Sequence, residues 1–427
     1  MNSDRRLLRF SPSSWARAGI ALAVLGGVAA LVIPSRAAVG DYDVAQEPLY
    51  SKQTQPPLMM MVMSRDEQLF NKAYSDYSNL DEDANNTLET TYLDSFEYGG
   101  YFDSKLCYGA TATGDGGVFK ATTKASGANG HSCSGQWSGN FLNWITMSRL
   151  DVMRSVLYGG QRYIDTDDRT VIERARIPSD LHAWVKVYSG GDIGSFAPLS
   201  GTQSFCNVTA GTAADAVPRM LVSGGNWSEW ASTAGFQCGV GRSGEGSSDV
   251  PRSATTYAVR AEVCAPGDNA LRESYCRKYN DGNQDRYKPS GVLQTYGESG
   301  RLRFGLITGT YANPRDGGTL RRNIGKIAGN SSGFCSAGDE IDLATGRFCY
   351  LKAGAAAGAE GVIKTISTFK IDQWNGSSNW KTAIPTASST VRTRAATAIW
   401  PTRVPADRNA ARGAIRLPKC TLRRCGT

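Results

Sequence analysis

The chain has 427 residues, of which 41% are hydrophobic, and its formal net charge is +8. The positive charge lies at the two ends of the chain. Residues 391–427 carry nine basic residues and one acidic residue, and residues 1–37 carry five basic residues and one acidic residue. The net charge of residues 38–390 is therefore −4. A nucleic-acid-binding protein has its basic face on the folded part, so this distribution excludes nucleic acid as a partner, while the length suits two domains or one large domain with insertions.

The first 37 residues have the order of segments found in an export signal. Four arginines within residues 5–17 precede an uncharged run at residues 18–33, and Ser35-Arg36-Ala37 provides a small-residue cleavage site. The sixteen residues of the run are fewer than the roughly 20 that span a bilayer. We therefore predict a cleaved signal peptide at residues 1–37 and no transmembrane span in the mature chain, with a membrane anchor as the alternative. The pair Arg5-Arg6 leaves both the general secretory and the twin-arginine routes open.

The first structural element of the mature chain is predicted at residues 58–63. The apolar run LMMMVM follows Pro56-Pro57 and ends before Ser64. A short apolar run between such breakers is typical of a buried strand, and its methionines leave a helix as the alternative.

An acidic segment at residues 81–89 has the spacing of an EF-hand-type calcium loop. Oxygen-bearing side chains occupy loop positions 1, 3, 5 and 9, which are Asp81, Asp83, Asn85 and Glu89, and the Thr87 carbonyl supplies position 7. Asn86 stands where such loops need a residue that tolerates a left-handed turn, but Tyr92 stands where a bidentate glutamate is expected. We predict a weak Ca²⁺ site here, with an acidic surface turn that binds no ion as the alternative.

The middle of the chain predicts a long loop followed by a long helix. Residues 109–136 are rich in Gly, Ala, Thr and Ser and read as a loop. Residues 138–157 repeat apolar side chains at helical intervals, and Gly159 follows as a stop signal.

Later segments alternate between strand and helix patterns. We predict strands at residues 183–188, 257–263 and 301–311, with Arg260 and Glu262 of the second strand facing solvent, and a helical stripe at 362–369. Alternating elements of this kind predict the α/β fold class, with long insertions between the elements.

Eight cysteines lie between the signal and the tail, in close successive couples. An even set in an exported chain indicates disulfides. Eight cysteines permit about 105 connectivities, which the sequence alone leaves open, and the closeness of successive couples favours 107 with 133, 206 with 238, 264 with 276, and 335 with 349. A structural zinc site is the alternative, but no Cys-x-x-Cys pair is present to hold the ion.

From about residue 383 the amino-acid sequence becomes rich in arginine, threonine and alanine, and its hydrophobic residues show neither the strand period of 2 nor the helical period of 3.6. We interpret residues 383–427 as a basic unstructured tail that arises from a slipped reading frame, with a natural disordered tail as the alternative.

Catalytic signals are weak. The chain has two histidines, His131 and His182, and a nucleophile of the Ser-His or Cys-His type needs one of them as its base. We therefore predict a protein that is not an enzyme. The aromatic residues that suit either the core or a binding surface are Trp137, Trp144, Trp184, Trp227, Trp230, Trp374, Trp380, Tyr98, Tyr101 and Tyr108.

Several ordered segments resemble the PilC/PilY family of type IV pilus tip-associated adhesins. The matching segments are MVMSRDEQLF at 61–70, GYFDS at 100–104, QWSGNFLNW at 136–144, TVIER at 170–174, GESGRLRFGL at 297–306 and LRRNIG at 320–325. The resemblance covers residues 55–375 and predicts one region at 38–382 with a von Willebrand factor A-like core. The Asp-x-Ser-x-Ser ion motif of such domains is replaced by SRDEQ at residues 64–68.

The resemblance implies a function and a set of partners. Family members assist pilus assembly and surface attachment, so the expected partners are pilins or minor pilins and a host or abiotic surface. The expected location is the periplasm, the pilus tip or the outer cell surface. The family's C-terminal β-propeller is not expected in this chain, which we interpret as truncated. The alternatives are a secreted carboxylate-dependent hydrolase and a nonfunctional fragment of a broken gene.

Overall fold

A computed structural model describes residues 56–64, 67–74, 91–177, 183–210, 216–231, 238–241, 250–267, 270–309, 318–328, 335–336, 338–352 and 361–369. The chain divides into two compact units, Met1–Pro56 and Pro57–Thr427, and every described residue except Pro56 belongs to the second. The predicted signal peptide, the candidate calcium loop at 81–89, His182 and the tail from residue 383 lie outside the described residues. Where the chain is described, no helix is long and apolar enough to cross a membrane.

These stretches form mainly β-structure with a few helices, which confirms the α/β class. The strands are β1 (Leu58–Met63), β2 (Leu106–Ala110), β3 (Phe119–Lys124), β4 (Trp137–Ser138), β5 (Arg162–Asp165), β6 (Thr170–Glu173), β7 (Trp184–Tyr188), β8 (Gln203–Ala210), β9 (Val217–Gly224), β10 (Thr255–Ala258), β11 (Arg260–Val263), β12 (Cys276–Asn280), β13 (Asp285–Pro289), β14 (Arg303–Gly309) and β15 (Gly318–Gly325). The α-helices are α1 (Gly139–Thr146), α2 (Arg149–Tyr158) and α3 (Val362–Ser367).

The predicted strand at 58–63 is confirmed, and it belongs to a three-stranded sheet of order β1-β14-β15. β1 runs parallel to β14, and β15 is antiparallel to β14. Phe304 and Leu306 of β14 pack in one hydrophobic core with residues of α2 and α3. The expected burial of β1 is wrong: none of its residues is buried, Leu58, Met59 and Val62 are exposed, and Met61 and Met63 are only partly buried against the core.

The remaining strands build a larger body around an aromatic core. Its sheets have the orders β4-β2-β3-β11-β6-β5 and β10-β9-β8-β7, and β12 and β13 form a separate hairpin. All eight residues of α1 are buried. The core contains Tyr92, Tyr98, Tyr101, Phe102, Tyr108, Phe119, Trp137, Phe141, Trp144, Phe196 and Phe205. The core role suggested for Tyr98, Tyr101, Trp137 and Trp144 is therefore confirmed.

The single helix predicted at 138–157 is wrong, because the chain forms two helices that break at Met147-Ser148. Ser148 caps α2: its hydroxyl accepts from the Asp151 N–H, and the Asp151 carboxylate accepts from the Ser148 N–H at 3.0 Å. This capping box satisfies free N–H groups at a helix start, so it favours a new helix over a continued one. Gly159 ends α2 with φ of 83°, as predicted.

The strand predicted at 257–263 is also divided, into β10 and β11 of different sheets. Arg260 does not face solvent: it is 7% exposed, and its Nη2 lies 2.7 Å from Glu173 Oε1 on β6. The alternation argument fails here because a charged partner from another strand allows burial of the arginine.

The predicted loop at 109–136 contains the strand β3, which pairs with both β2 and β11. The four predicted disulfides are confirmed, between Cys107 and Cys133, Cys206 and Cys238, Cys264 and Cys276, and Cys335 and Cys349. The longest of them joins cysteines 32 residues apart. Each bond therefore closes a short loop of the chain.

Candidate functional site

The candidate Ca²⁺ ligands Asp81, Asp83, Asn85, Thr87 and Glu89 lie outside the described residues, so the structure neither brings them together nor separates them. The segment directly after them is firmly held. Tyr92 is 4% exposed, and its hydroxyl accepts a hydrogen bond from Asn140 Nδ2 of α1 at 3.0 Å. Burial, the largest influence, raises the pKa of Tyr92. The C-terminal end of the acidic segment therefore leads into the aromatic core.

His131 has both ring nitrogens in contact with partners. Nε2 lies 3.0 Å from Lys105 Nζ, and Nδ1 lies 2.6 Å from the Asp94 carbonyl oxygen. Because an ammonium group only donates, Nε2 accepts, and Nδ1 carries the proton that it donates to the carbonyl. The histidine is 2% exposed, and this arrangement holds the disulfide-bonded loop at Cys133 against the segment at Asp94.

A buried carboxyl lies beside one disulfide. Glu273 Oε2 accepts from the Cys264 N–H at 2.7 Å and lies 3.5 Å from Cys276 Sγ. Burial raises the pKa of Glu273 to about 7. The three residues have the composition of a metal site, but the two sulfurs are bonded to each other and are therefore not available as thiolate ligands. This cluster is structural in the oxidised protein.

A second buried cluster joins β5, β13 and the segment before Cys349. Asp165 accepts from Arg162 Nη1 at 2.9 Å and from the Phe348 N–H at 2.8 Å. Lys288 Nζ lies 3.3 Å from Asp165 Oδ1. Burial lowers the pKa of Lys288 to about 8. Because the charges are paired and buried, they fix the geometry of the body and offer no group to a substrate.

An open feature suited to binding is a groove of about 300 Å³ beside β2 and β4, named the β2–β4 groove. Its walls include Tyr108, Ala110, Thr113, Gln136, Trp137 and Tyr257, and no lining residue carries a charge. The rings of Trp137 and Tyr257 meet edge to face with centroids 5.5 Å apart. Burial raises the pKa of Tyr257, so its hydroxyl stays protonated and can donate a hydrogen bond.

The β2–β4 groove exists because β4 is only two residues long. Before it, Gly135 has φ of 70° and the Gln136 N–H donates to the Cys133 carbonyl, which forms a tight turn. After it, Ser138 becomes the N-cap of α1. β4 therefore covers Cys107 and Tyr108 of β2 and leaves the end of that strand uncovered.

Sequence reasoning did not find this groove, although Trp137 and Tyr108 were among the aromatic residues considered for a binding surface. Tyr257 comes from a strand of the other sheet, about 120 residues further along the chain. The local signal for a short β4 is the small separation in sequence between Gly135, which forms the turn, and Ser138, which caps the next helix.

These features define a disulfide-bonded α/β protein with an aromatic core and an uncharged groove. The family model described as "PilY1 homolog, small alpha/beta domain" matches residues 89–228, and the one described as "PilY1 homolog, second domain" matches residues 304–400. Two curated relatives from Xylella fastidiosa (strain Temecula1), both named type IV pilus biogenesis factor PilY1 homolog, are similar to the chain. They are 37% and 30% identical over 336 and 255 residues, which are 74% and 55% of this chain.

The chain belongs to the PilY1 family. It spans about a fifth of the length of these two relatives, 22% and 19%. No solved structure matches it. The resemblance drawn from the ordered sequence segments is therefore confirmed at the level of the family.

Proposed function

We propose that this chain is an exported type IV pilus biogenesis factor that acts by binding, as an adhesin and assembly factor at the pilus tip. The observation that carries the proposal is the 37% identity over 336 residues to a protein named as a type IV pilus biogenesis factor. Pilins or minor pilins and a host or abiotic surface are the proposed partners.

Four disulfides support export. They lie in the described body at short sequence separations, and disulfides form and persist in oxidising compartments outside the cytosol. A cleaved signal peptide at residues 1–37 and a location in the periplasm, at the pilus tip or on the outer cell surface are part of the proposal.

Binding rather than catalysis fits the groups that the structure describes. His131 is held between Lys105 and the Asp94 carbonyl, and the two buried carboxyl clusters are occupied by a disulfide and by paired charges. A groove without charged walls suits recognition of a surface or a segment better than proton transfer.

A von Willebrand factor A-like core is the proposed architecture of the three-stranded part. β1 and β14 are parallel, β15 is antiparallel to β14, and α2 and α3 pack on the same face.

The proposed Ca²⁺ site at Asp81, Asp83, Asn85, Thr87 and Glu89 adds an ion that extracellular modules commonly bind weakly, at roughly 10⁻⁴ to 10⁻³ M.

The test is deletion of the gene in a piliated host, with surface pili counted by electron microscopy and by shearing, and with immunogold labelling of an epitope-tagged copy. We expect fewer surface pili, label at pilus ends and recovery by the wild-type gene. A matched control gene lacking codons 2–37, which keeps the start codon, should fail to restore pili if export is required. Two results together would contradict the proposal. The deletion strain would carry as many pili as the wild type, and in cells without pili the protein would be exported equally well and would show no association with pilin.

A further inference from the structure

The end of β2 has backbone groups that face the β2–β4 groove. The Thr111 N–H donates to the Val118 carbonyl at 2.9 Å, on the β3 side. Successive residues of an antiparallel strand direct their N–H and C=O groups to opposite edges. The N–H and C=O of Ala110, which is paired with Phe119 in the β3 register, therefore point to the edge where β4 would continue.

In the described part of the chain, no strand pairs with that edge of β2 beyond Tyr108. β4 pairs with Cys107 and Tyr108 only, and the chain before it turns between Cys133 and Gln136, with Cys133 bonded to Cys107. Ala110 is half-buried. Strand edges with unpaired N–H and C=O groups are templates for pairing with another segment.

The walls of the groove indicate the chemistry of what pairs there. Trp137 is 2% exposed, so its ring face is not available for stacking on a sugar. The lining is uncharged, and a charged side chain placed there would lose its water without gaining a partner. An extended backbone with small or apolar side chains satisfies both the backbone groups of Ala110 and the aromatic walls.

We propose that the β2–β4 groove binds an extended, uncharged polypeptide segment, which adds a strand antiparallel to β2 and in line with β4. Main-chain hydrogen bonds to Ala110 give the binding, and alternate side chains of the segment contact Thr113 and Tyr257 on the groove walls. This inference rests on the structure of the groove alone, so it can be tested separately from the proposed role of the chain in pilus biogenesis.

The probe is a phage-displayed library of random dodecapeptides, selected on the purified, disulfide-intact protein. Enriched peptides are then synthesised with a fluorescein label, and their dissociation constants are measured by fluorescence anisotropy. We expect enriched sequences with alternating apolar residues and few charges. Each peptide is also made with N-methyl groups at alternate residues, which removes main-chain donors but keeps every side chain, and we expect at least a tenfold loss of affinity in one of the two N-methyl registers.

Two protein variants locate the site. Thr113→Trp fills the groove from an exposed position, and Ala110→Pro removes the N–H that faces the groove but none that faces β3; both should weaken binding at least tenfold. The matched control is Thr295→Trp, an exposed threonine that does not line the groove, which should bind the peptides as the wild type does.

Three results would each overturn the proposal: no enrichment above uncoated wells, equal binding by Thr113→Trp and wild type, or no loss of affinity in either N-methyl register. Peptides whose affinity depends on Thr113 but not on the main-chain donors would indicate side-chain recognition in place of strand addition. Since none of these assays uses pili, a negative result leaves the gene-deletion test unaffected.

Discussion

Arg154 of α2 donates two hydrogen bonds to the carbonyl oxygen of Ile366 in α3, from Nε at 3.2 Å and from Nη2 at 2.8 Å. The two residues are 212 positions apart in the sequence. Nη2 also donates to the Ser367 carbonyl at 3.0 Å. The guanidinium therefore satisfies carbonyl groups at the C-terminal end of a helix, where a positive charge is also favoured by the helix dipole.

We predict that Arg154→Met lowers the free energy of unfolding by about 2 kcal/mol, since it removes the donors that the guanidinium supplies to the carbonyls of Ile366 and Ser367. Urea unfolding followed by tryptophan fluorescence measures the change. Arg149→Met is the matched control, because Arg149 lies on the same helix and is exposed. Equal stability of the Arg154 variant and the control would show that the contact does not hold α3.

Glu340 holds the opposite end of α3. Its carboxylate accepts from the Val362 N–H at 2.8 Å and from the Ile363 N–H at 2.6 Å. Gly361 leaves the room for it, because an added Cβ would lie 2.6 Å from Glu340 Oε2.

We predict that Glu340→Ala destabilises the protein by about 2 kcal/mol through loss of these acceptors, and that Gly361→Ala destabilises it by displacing the carboxylate. The double variant with Arg154→Met should lose less than the sum of the two single losses, because both changes release the same helix. Fully additive unfolding free energies would show that the two ends of α3 are held independently.

How much the sequence predicts depends on how local the cause is. The disulfide pairs follow from cysteines that are near neighbours in the chain, and all four are confirmed. The break at Ser148 was missed because the apolar stripe continues across it while the capping box is made by hydroxyl and carboxylate groups. Burial of Arg260 was missed because its partner Glu173 lies 87 residues away. The β2–β4 groove forms where two sheets meet, and a local sequence pattern does not predict contacts between sheets.

The pH dependence of stability should contain a contribution from Glu273. Its pKa is about 7 in the folded protein against an ordinary value of 4.5. The folded state therefore binds the proton more tightly than the unfolded state, and stability falls as pH rises from about 4.5 to 7. The full difference is on the order of 3 kcal/mol.

We predict that Glu273→Gln reduces the loss of stability between pH 5 and pH 8, measured by urea unfolding at both values. Asp281→Asn is the control, because hydrogen bonds from the Gln284 and Asn283 backbone N–H groups lower the pKa of Asp281 to about 2, and its titration ends below this window. A Glu273 variant with the same pH slope as wild type would contradict the assignment.

The uncovered face of β1 predicts a limit on solubility. Val62 is 76% exposed, and among the described strands β1 pairs with β14 alone. An exposed apolar edge strand favours association between copies. We predict that Val62→Lys slows aggregation several-fold at constant unfolding free energy, measured by light scattering. Val156→Lys changes another exposed apolar side chain, 58% exposed, which lies on helix α2 and not on a strand, and an equal effect there would show that charge alone is responsible.

The proposed Ca²⁺ site makes a prediction that depends on ligand charge. Asp83 occupies loop position 3, and each carboxylate removed weakens a site that relies on negatively charged oxygen ligands. Asp83→Ala should raise the dissociation constant for Ca²⁺ roughly tenfold, measured by isothermal titration calorimetry on the disulfide-intact mature protein. Asp168→Ala is the matched control, since this carboxylate is 75% exposed and lies outside residues 81–89. Absence of Ca²⁺ binding by the parent protein at millimolar concentrations would remove the site, whereas equal weakening by both variants would assign the binding to net charge rather than to the loop.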